Sequence, residues 1–130
     1  MKKVLLILIA IIGFGFSIHS QVPNSSNKTD QIIGVWKLPL NDPSLEIKCI
    51  ITKGYWLTIY VRDNIITSSI GGTYTFDGET YKNIILFGTQ GTDGNRRGTW
   101  KVRFEGNKMH LNGTISTSNQ NYYEIWERVE

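Results

Sequence analysis

The sequence has few of the residues from which catalytic and metal centres are built. It contains one cysteine, Cys49, and two histidines, His19 and His110. A single cysteine excludes an internal disulfide, and this small set of sulfur and imidazole groups does not supply the ligands of a zinc site. His110 is expected on a polar strand face, where no Ser-His-Asp set can be assembled around it. We therefore expect no catalytic residue, no metal, no cofactor and no enzymatic activity.

A concentration of charge of one sign is also missing. The formal net charge is +3, and Lys2 and Lys3 supply two of the positive charges from a segment that we expect to be removed. The other basic residues are scattered along the chain and form no polybasic tract, and there is no acidic tail. The sequence therefore carries no electrostatic footprint for a nucleic-acid partner.

Residues 1–20 have the layout of a secretory signal peptide. Lys2 and Lys3 form a short basic start, and residues 4–16 are an unbroken apolar stretch that is too short to span a bilayer comfortably. Cleavage is expected after Ser20 or, alternatively, after Ser17, and an uncleaved N-terminal anchor is a further interpretation. No cysteine follows the stretch, so no lipid attachment is expected. We expect a secreted or periplasmic protein with no integral membrane span after cleavage.

The rest of the chain divides into a short lead and one domain. Residues 21–31 are mostly polar, with several Asn and Ser residues, which predicts a flexible N-terminal lead. Residues 32–130 are about the size of a single domain.

This domain shows strand and turn patterns and no helical period. Eight strands are predicted to begin near residues 33, 45, 55, 65, 80, 98, 108 and 121, a spacing typical of a β-barrel or a sandwich. Tight turns such as Asp77-Gly78 join most neighbours, and Gly88–Gly98 is the long exception. Sandwiches need long connections across their ends. We therefore predict an all-β fold, an eight-stranded antiparallel up-and-down β-barrel that closes its last strand against its first.

Two glycines, Gly71 and Gly72, lie inside the predicted fourth strand, residues 65–76. Glycine inside a strand indicates a bulge or a sharp bend, which a closed barrel requires. Two short strands separated by a loop at the glycines are the alternative.

Alternation of apolar and polar residues assigns several strand faces. An eight-stranded barrel has room for packed side chains or for one small ligand, so a filled interior and a ligand-accepting interior both remain open. Arg96 and Arg97, in the long connection, are candidates for a mouth loop that attracts an anionic head group. The candidate ligand-binding residues inside the barrel are Ile47, Cys49, Leu57, Ile59, Tyr74, Phe76, Trp100, Val102, Phe104 and Leu111.

Both ends of the domain carry a large aromatic residue. Gly34-Val35-Trp36 on the first strand, the eight up-and-down strands, and the late Trp126 with Arg128 resemble the lipocalin-like members of the calycin group. The overall sequence pattern is most similar to short secreted bacterial domains of this kind, which are largely of unknown function. The resemblance implies that Trp36 plugs one end of the barrel and that Arg128 packs over it, where a guanidinium gains from cation–π attraction. Unlike lipocalins, this sequence ends at Glu130 without a C-terminal helix.

Two functions are compatible with these features. The first, implied by the resemblance, is a lipocalin-like barrel that binds a small apolar or amphipathic molecule. The second is a protein-interaction module, such as an inhibitor or an envelope component, with a filled barrel and no small-molecule ligand. In that case Trp56 and Tyr60 would face outward as contacts for a protein partner. The exposure of these two rings distinguishes the functions.

Overall fold

The structure is a computed structural model that describes residues 27–89, 91 and 94–129. The predicted signal peptide and residues 21–26 of the predicted lead lie outside the described residues. A 3-10 helix precedes eight strands. The helix is Lys28–Ile32, and the strands are β1 (Gly34–Leu38), β2 (Leu45–Ile51), β3 (Tyr55–Arg62), β4 (Ile65–Phe76), β5 (Thr80–Gly88), β6 (Arg97–Glu105), β7 (Lys108–Ile115) and β8 (Asn121–Arg128).

The eight strands form one closed barrel in sequential order, with β8 hydrogen-bonded to β1. Every neighbouring pair is antiparallel, and the closing pair places Trp36 opposite Arg128 and Lys37 opposite Glu127. The predicted all-β, up-and-down barrel is therefore confirmed, and the described chain has no helix after β8. Closure pairs both terminal strands, so neither is left as an open edge. No helix among the described residues is long and apolar enough to cross a membrane.

The hairpin turns follow from their local sequences. Asp63 and Asn64 join β3 to β4 with φ angles of 50° and 63°, a left-handed conformation that Asp and Asn tolerate and that suits the twist of a two-residue hairpin. At the β4–β5 turn, Oδ1 of Asp77 accepts hydrogen bonds from the backbone nitrogens of Glu79 and Thr80 at 2.9 and 2.7 Å. These turns bring sequential strands directly beside one another.

β4 is one long strand with a bulge at its glycines. Its register with β5 shifts between Gly71 and Gly72. A Cβ on Gly72 would lie 1.9 Å from the carbonyl oxygen of Ile84, a distance that no side chain tolerates. The interpretation of residues 65–76 as one bent strand is therefore correct, and the alternative with a loop at the glycines is wrong.

The 3-10 helix corrects the predicted flexible lead. Residues 28–31 belong to this helix, and Ile32 at its end is fully buried, with 0% of its surface exposed. Nζ of Lys28 lies 3.4 Å from Oε1 of Glu79 in the β4–β5 turn. Burial of Ile32 attaches the helix to one end of the barrel, so residues 28–31 of the predicted lead belong to the folded domain.

Trp36 and Arg128 hold this end of the barrel together. The Arg128 guanidinium lies over the Trp36 ring, with Cζ 4.2 Å from the ring centroid. Trp36 Nε1 donates a hydrogen bond to the Ile32 carbonyl at 2.9 Å. Arg128 donates from Nη1 to the Ile33 carbonyl at 2.8 Å and from Nη2 to the Gln31 carbonyl. One side chain on β8 thus contacts β1 and the helix together.

Replacement of Arg128 by lysine tests this contact. Lysine keeps the charge but lacks the planar fork, so Arg128→Lys should lose the ring stacking and at least one carbonyl bond. We expect a loss of about 1–3 kcal/mol in the free energy of unfolding, measured by urea denaturation. Arg103→Lys is the matched control, because Arg103 forms an exposed ion pair with Glu105 and such pairs contribute little. Equal midpoints for the two variants would contradict the role of Arg128.

Candidate functional site in the barrel cavity

The interior of the barrel contains a partly open cavity of about 190 Å³. Its wall is mostly aromatic and aliphatic, with a few polar side chains. For comparison, a cavity of about 150 Å³ in another protein accommodates benzene. The lining residues are Ile32, Cys49, Ile51, Trp56, Thr58, Tyr60, Ile70, Tyr81, Asn83, Ile85, Arg96, Gly98, Trp100, Met109, Leu111, Ile115, Glu124 and Trp126.

The predicted interior residues separate into a cavity group and a packed group. Cys49, Trp100 and Leu111 line the cavity. The packed group fills the core beside it, where the Phe104 ring lies 6.0 Å from Trp36 and 6.2 Å from Phe76 between centroids. The barrel is therefore filled with side chains around Trp36 and hollow elsewhere. The packed group consists of Ile47, Tyr74, Phe76, Val102 and Phe104.

The prediction that Leu57 and Ile59 face the interior is wrong. Trp56, Thr58 and Tyr60 line the cavity, and since side chains alternate along a strand, Leu57 and Ile59 lie on the outer face of β3. Trp56 and Tyr60 were expected to face outward only if the protein is an interaction module, and the structure places both in the cavity wall. Trp56 is only 7% exposed, and Tyr60 is half-buried.

Two cavity tryptophans have built-in hydrogen-bond acceptors that sequence reasoning missed. Trp100 Nε1 donates to Oδ1 of Asn83 at 3.2 Å, and Trp126 Nε1 donates to Oε2 of Glu124 at 2.8 Å. A buried indole normally finds such an acceptor. The sequence did contain a signal for Glu124, because a polar residue two positions before Trp126 lies on the same face of the strand and can reach its indole.

Gly98 makes room for one of these pairs. A Cβ at this position would lie 2.2 Å from Asn83 Oδ1 and 2.4 Å from Trp100 Nε1. The hydrogen bond between Trp100 and Asn83 therefore crosses directly over the glycine, and any side chain there would displace it.

Two other donors in the wall have no acceptor in the part of the chain that the structure describes. Trp56 Nε1 and Arg96 Nε are buried and have no hydrogen-bond partner among the described residues. Of the two predicted mouth residues, Arg96 lines the cavity, whereas Arg97 begins β6 and is exposed. The cavity thus presents an indole N–H and a guanidinium N–H that the described part of the chain does not satisfy.

Burial and neighbouring charges shape the chemistry of the wall. Burial raises the pKa of the Cys49 thiol to about 11, so this sulfur is protonated and a poor nucleophile at neutral pH. Burial also raises the pKa of Tyr60, the nearby Glu124 raises it further, and Arg96 acts in the opposite direction. No group of three or more potential metal ligands occurs among the described residues.

No protein-family model matches the sequence of this chain, and no curated protein matches it either.

The elevated pKa of Cys49 predicts slow alkylation. A thiol whose pKa is two units higher carries about one hundredth of the thiolate at mildly alkaline pH. We expect iodoacetamide to modify Cys49 at least about a hundredfold more slowly in the folded protein than in urea. Mass spectrometry follows a single site, since the chain has one cysteine. Equal rates in the folded and unfolded chain would show that the thiol is neither buried nor shifted.

A methyl group at position 98 should break the bond between Asn83 and Trp100. Gly98→Ala leaves a buried indole N–H and a buried amide oxygen unpaired and overpacks the wall, so we expect about 1–3 kcal/mol of destabilisation. Urea denaturation and near-ultraviolet circular dichroism measure the loss of stability and the change around Trp100. Thr99→Ala, at the exposed neighbouring position, is the control. A Gly98→Ala variant as stable as this control would contradict the close packing.

Proposed function

We propose that this protein is a secreted or periplasmic, lipocalin-like barrel that binds one small apolar or amphipathic molecule. The observation that supports the proposal is the cavity of about 190 Å³ inside a closed barrel. Its wall combines large apolar surface with a few polar groups, which is the usual composition of a small-molecule site. The proposed location rests on the basic start and the apolar stretch at residues 4–16.

The volume limits the ligand to about one aromatic ring or a short aliphatic chain. A ligand of roughly ten non-hydrogen atoms is expected to bind with a Kd between about 1 µM and 1 mM. We propose binding without catalysis. Cys49 is the only sulfur nucleophile in the sequence and is held protonated by its raised pKa, and His110 is not among the lining residues.

The second candidate, a protein-interaction module, draws support from the outer face. Tyr55, Ile66 and Phe87 are exposed there, at 62%, 62% and 50% of their surface, and aromatic groups are common in protein interfaces. The hollow interior favours the small-molecule binder, because the module was expected to have a filled barrel with Trp56 and Tyr60 outside.

Binding inside the barrel is tested with a neutral probe and a blocked cavity. We expect para-ethylbenzyl alcohol to bind the wild-type chain at one site, with heat detected by isothermal titration calorimetry and a raised Tm. Ile85→Phe places extra volume in the cavity wall and should weaken binding at least about tenfold.

The control for the blocked cavity is Ile84→Phe, because Ile84 is the neighbouring residue of β5 and is not among the lining residues. It should bind the probe as the wild type does. The cavity would be refuted as the site if the wild type bound neither this probe nor its charged analogues para-ethylbenzoate and para-ethylbenzylamine. Equal binding of the probe by both variants would refute it as well.

A further inference from the structure

We propose that the ligand of this cavity is a small monocarboxylate, whose carboxylate group accepts hydrogen bonds from Arg96 and Trp56. The inference rests on the proposed function and specifies the chemical class of the ligand. Two cavity donors, Trp56 Nε1 and Arg96 Nε, lack an acceptor within the described ranges, and one of them belongs to a charged group.

The three indoles in the cavity wall differ in their hydrogen bonds. Trp100 and Trp126 each donate to a side-chain oxygen of the protein, whereas the equally buried Trp56 has no such partner among the described residues. Buried N–H groups are rarely left unpaired, because each loses its bonds to water. An acceptor supplied by a ligand would satisfy Trp56 as the chain itself satisfies the other two.

Arg96 also has a buried Nε that is unpaired among the described residues. A guanidinium stays charged in proteins, and the edge formed by Nε and one Nη matches the two oxygens of a carboxylate. Within the described part of the chain, no carboxylate lies within ion-pair distance of Arg96. A charged ligand therefore gains more here than a neutral one.

The carboxylate of Glu124 provides a separate test of whether the ligand is an anion or a cation. It lines the same cavity, but its Oε2 is engaged by Trp126 Nε1, and it forms no ion pair with Arg96. A carboxylate ligand held by Arg96 should feel repulsion from Glu124. Removal of the Glu124 charge should then strengthen binding of the ligand, whereas a cationic ligand would respond in the opposite direction.

The apolar wall accounts for the rest of the ligand. Ile85, Trp100 and Leu111 are all buried lining residues, and none of them offers a free polar group to the cavity. A ring or short chain attached to the carboxylate would contact this surface. The combination predicts an aryl or short-chain carboxylate and disfavours inorganic anions, which have no apolar part to bury.

The experiment compares three probes of equal size and different charge. These are para-ethylbenzoate, para-ethylbenzyl alcohol and para-ethylbenzylamine, each titrated into the wild-type chain at neutral pH by calorimetry. We expect the carboxylate to bind about 10–100-fold more tightly than the alcohol, and the amine to bind most weakly.

Substitutions then assign the preference to individual side chains. Arg96→Gln should reduce carboxylate binding to the level of the alcohol, while the control Arg97→Gln leaves it unchanged. Trp56→Phe removes only the indole N–H and should weaken carboxylate binding about 3–10-fold. Glu124→Gln should strengthen it. Trp56→Phe and Glu124→Gln keep the proposal testable if Arg96→Gln does not fold, which its Tm reveals.

The outcomes separate this inference from the proposed function. Equal affinity for the carboxylate and the alcohol, or a preference for the amine that is lost in Glu124→Gln, would overturn the carboxylate assignment and leave a cavity that binds small molecules. Absence of binding by all three probes would refute the proposed function itself. Tight carboxylate binding that persists in Arg96→Gln would place the anion elsewhere.

Discussion

The pairing of β8 with β1 is the constraint on which this structure depends. It involves the two pairs Trp36–Arg128 and Lys37–Glu127, whereas β1 pairs with β2 at five positions. So short a ladder gains from side-chain support, and the Arg128 guanidinium supplies it by stacking on Trp36 and bonding to the carbonyls of Ile33 and Gln31. Closure and coverage of this barrel end therefore come from the same group of atoms.

Closure also decides what the interior contains. Once the sheet is a cylinder, alternate residues of every strand must face inward. Around Trp36 the inward residues are large rings in mutual contact, such as Phe76 and Phe104. Elsewhere Thr58 and Gly98 take inward positions, and their small size leaves the cavity. The cavity thus depends on the sizes of the inward-facing side chains that lie at the same height along the barrel axis.

The fold was predictable because the sequence features that specify its strands and turns are local. Turn residues and alternation located every strand, and β6 begins at Arg97 where residue 98 was expected. β3 was assigned to the wrong face because it is apolar at both odd and even positions. Its register is set by partners, such as Thr58 opposite Cys49 and Trp56 opposite Gly72. The 3-10 helix was missed because burial of Ile32 depends on a tertiary contact and not on its own segment.

The candidate site was less predictable because the role of a polar residue depends on the hydrogen-bond partners that it meets in the folded chain. Asn83 and Glu124 are unremarkable in the sequence, yet each holds a cavity indole by one hydrogen bond. Arg96 was recognised as a possible contact for an anion, but its position in the wall is set by a tertiary contact, since its carbonyl accepts a hydrogen bond from the Ile85 backbone nitrogen of β5 at 3.0 Å. The protein satisfies two of three similar indoles with its own oxygens. Trp56 Nε1 and Arg96 Nε lie in the wall of the same cavity and have no partner among the described residues. They mark a surface that is complementary to an acceptor which the described chain does not supply.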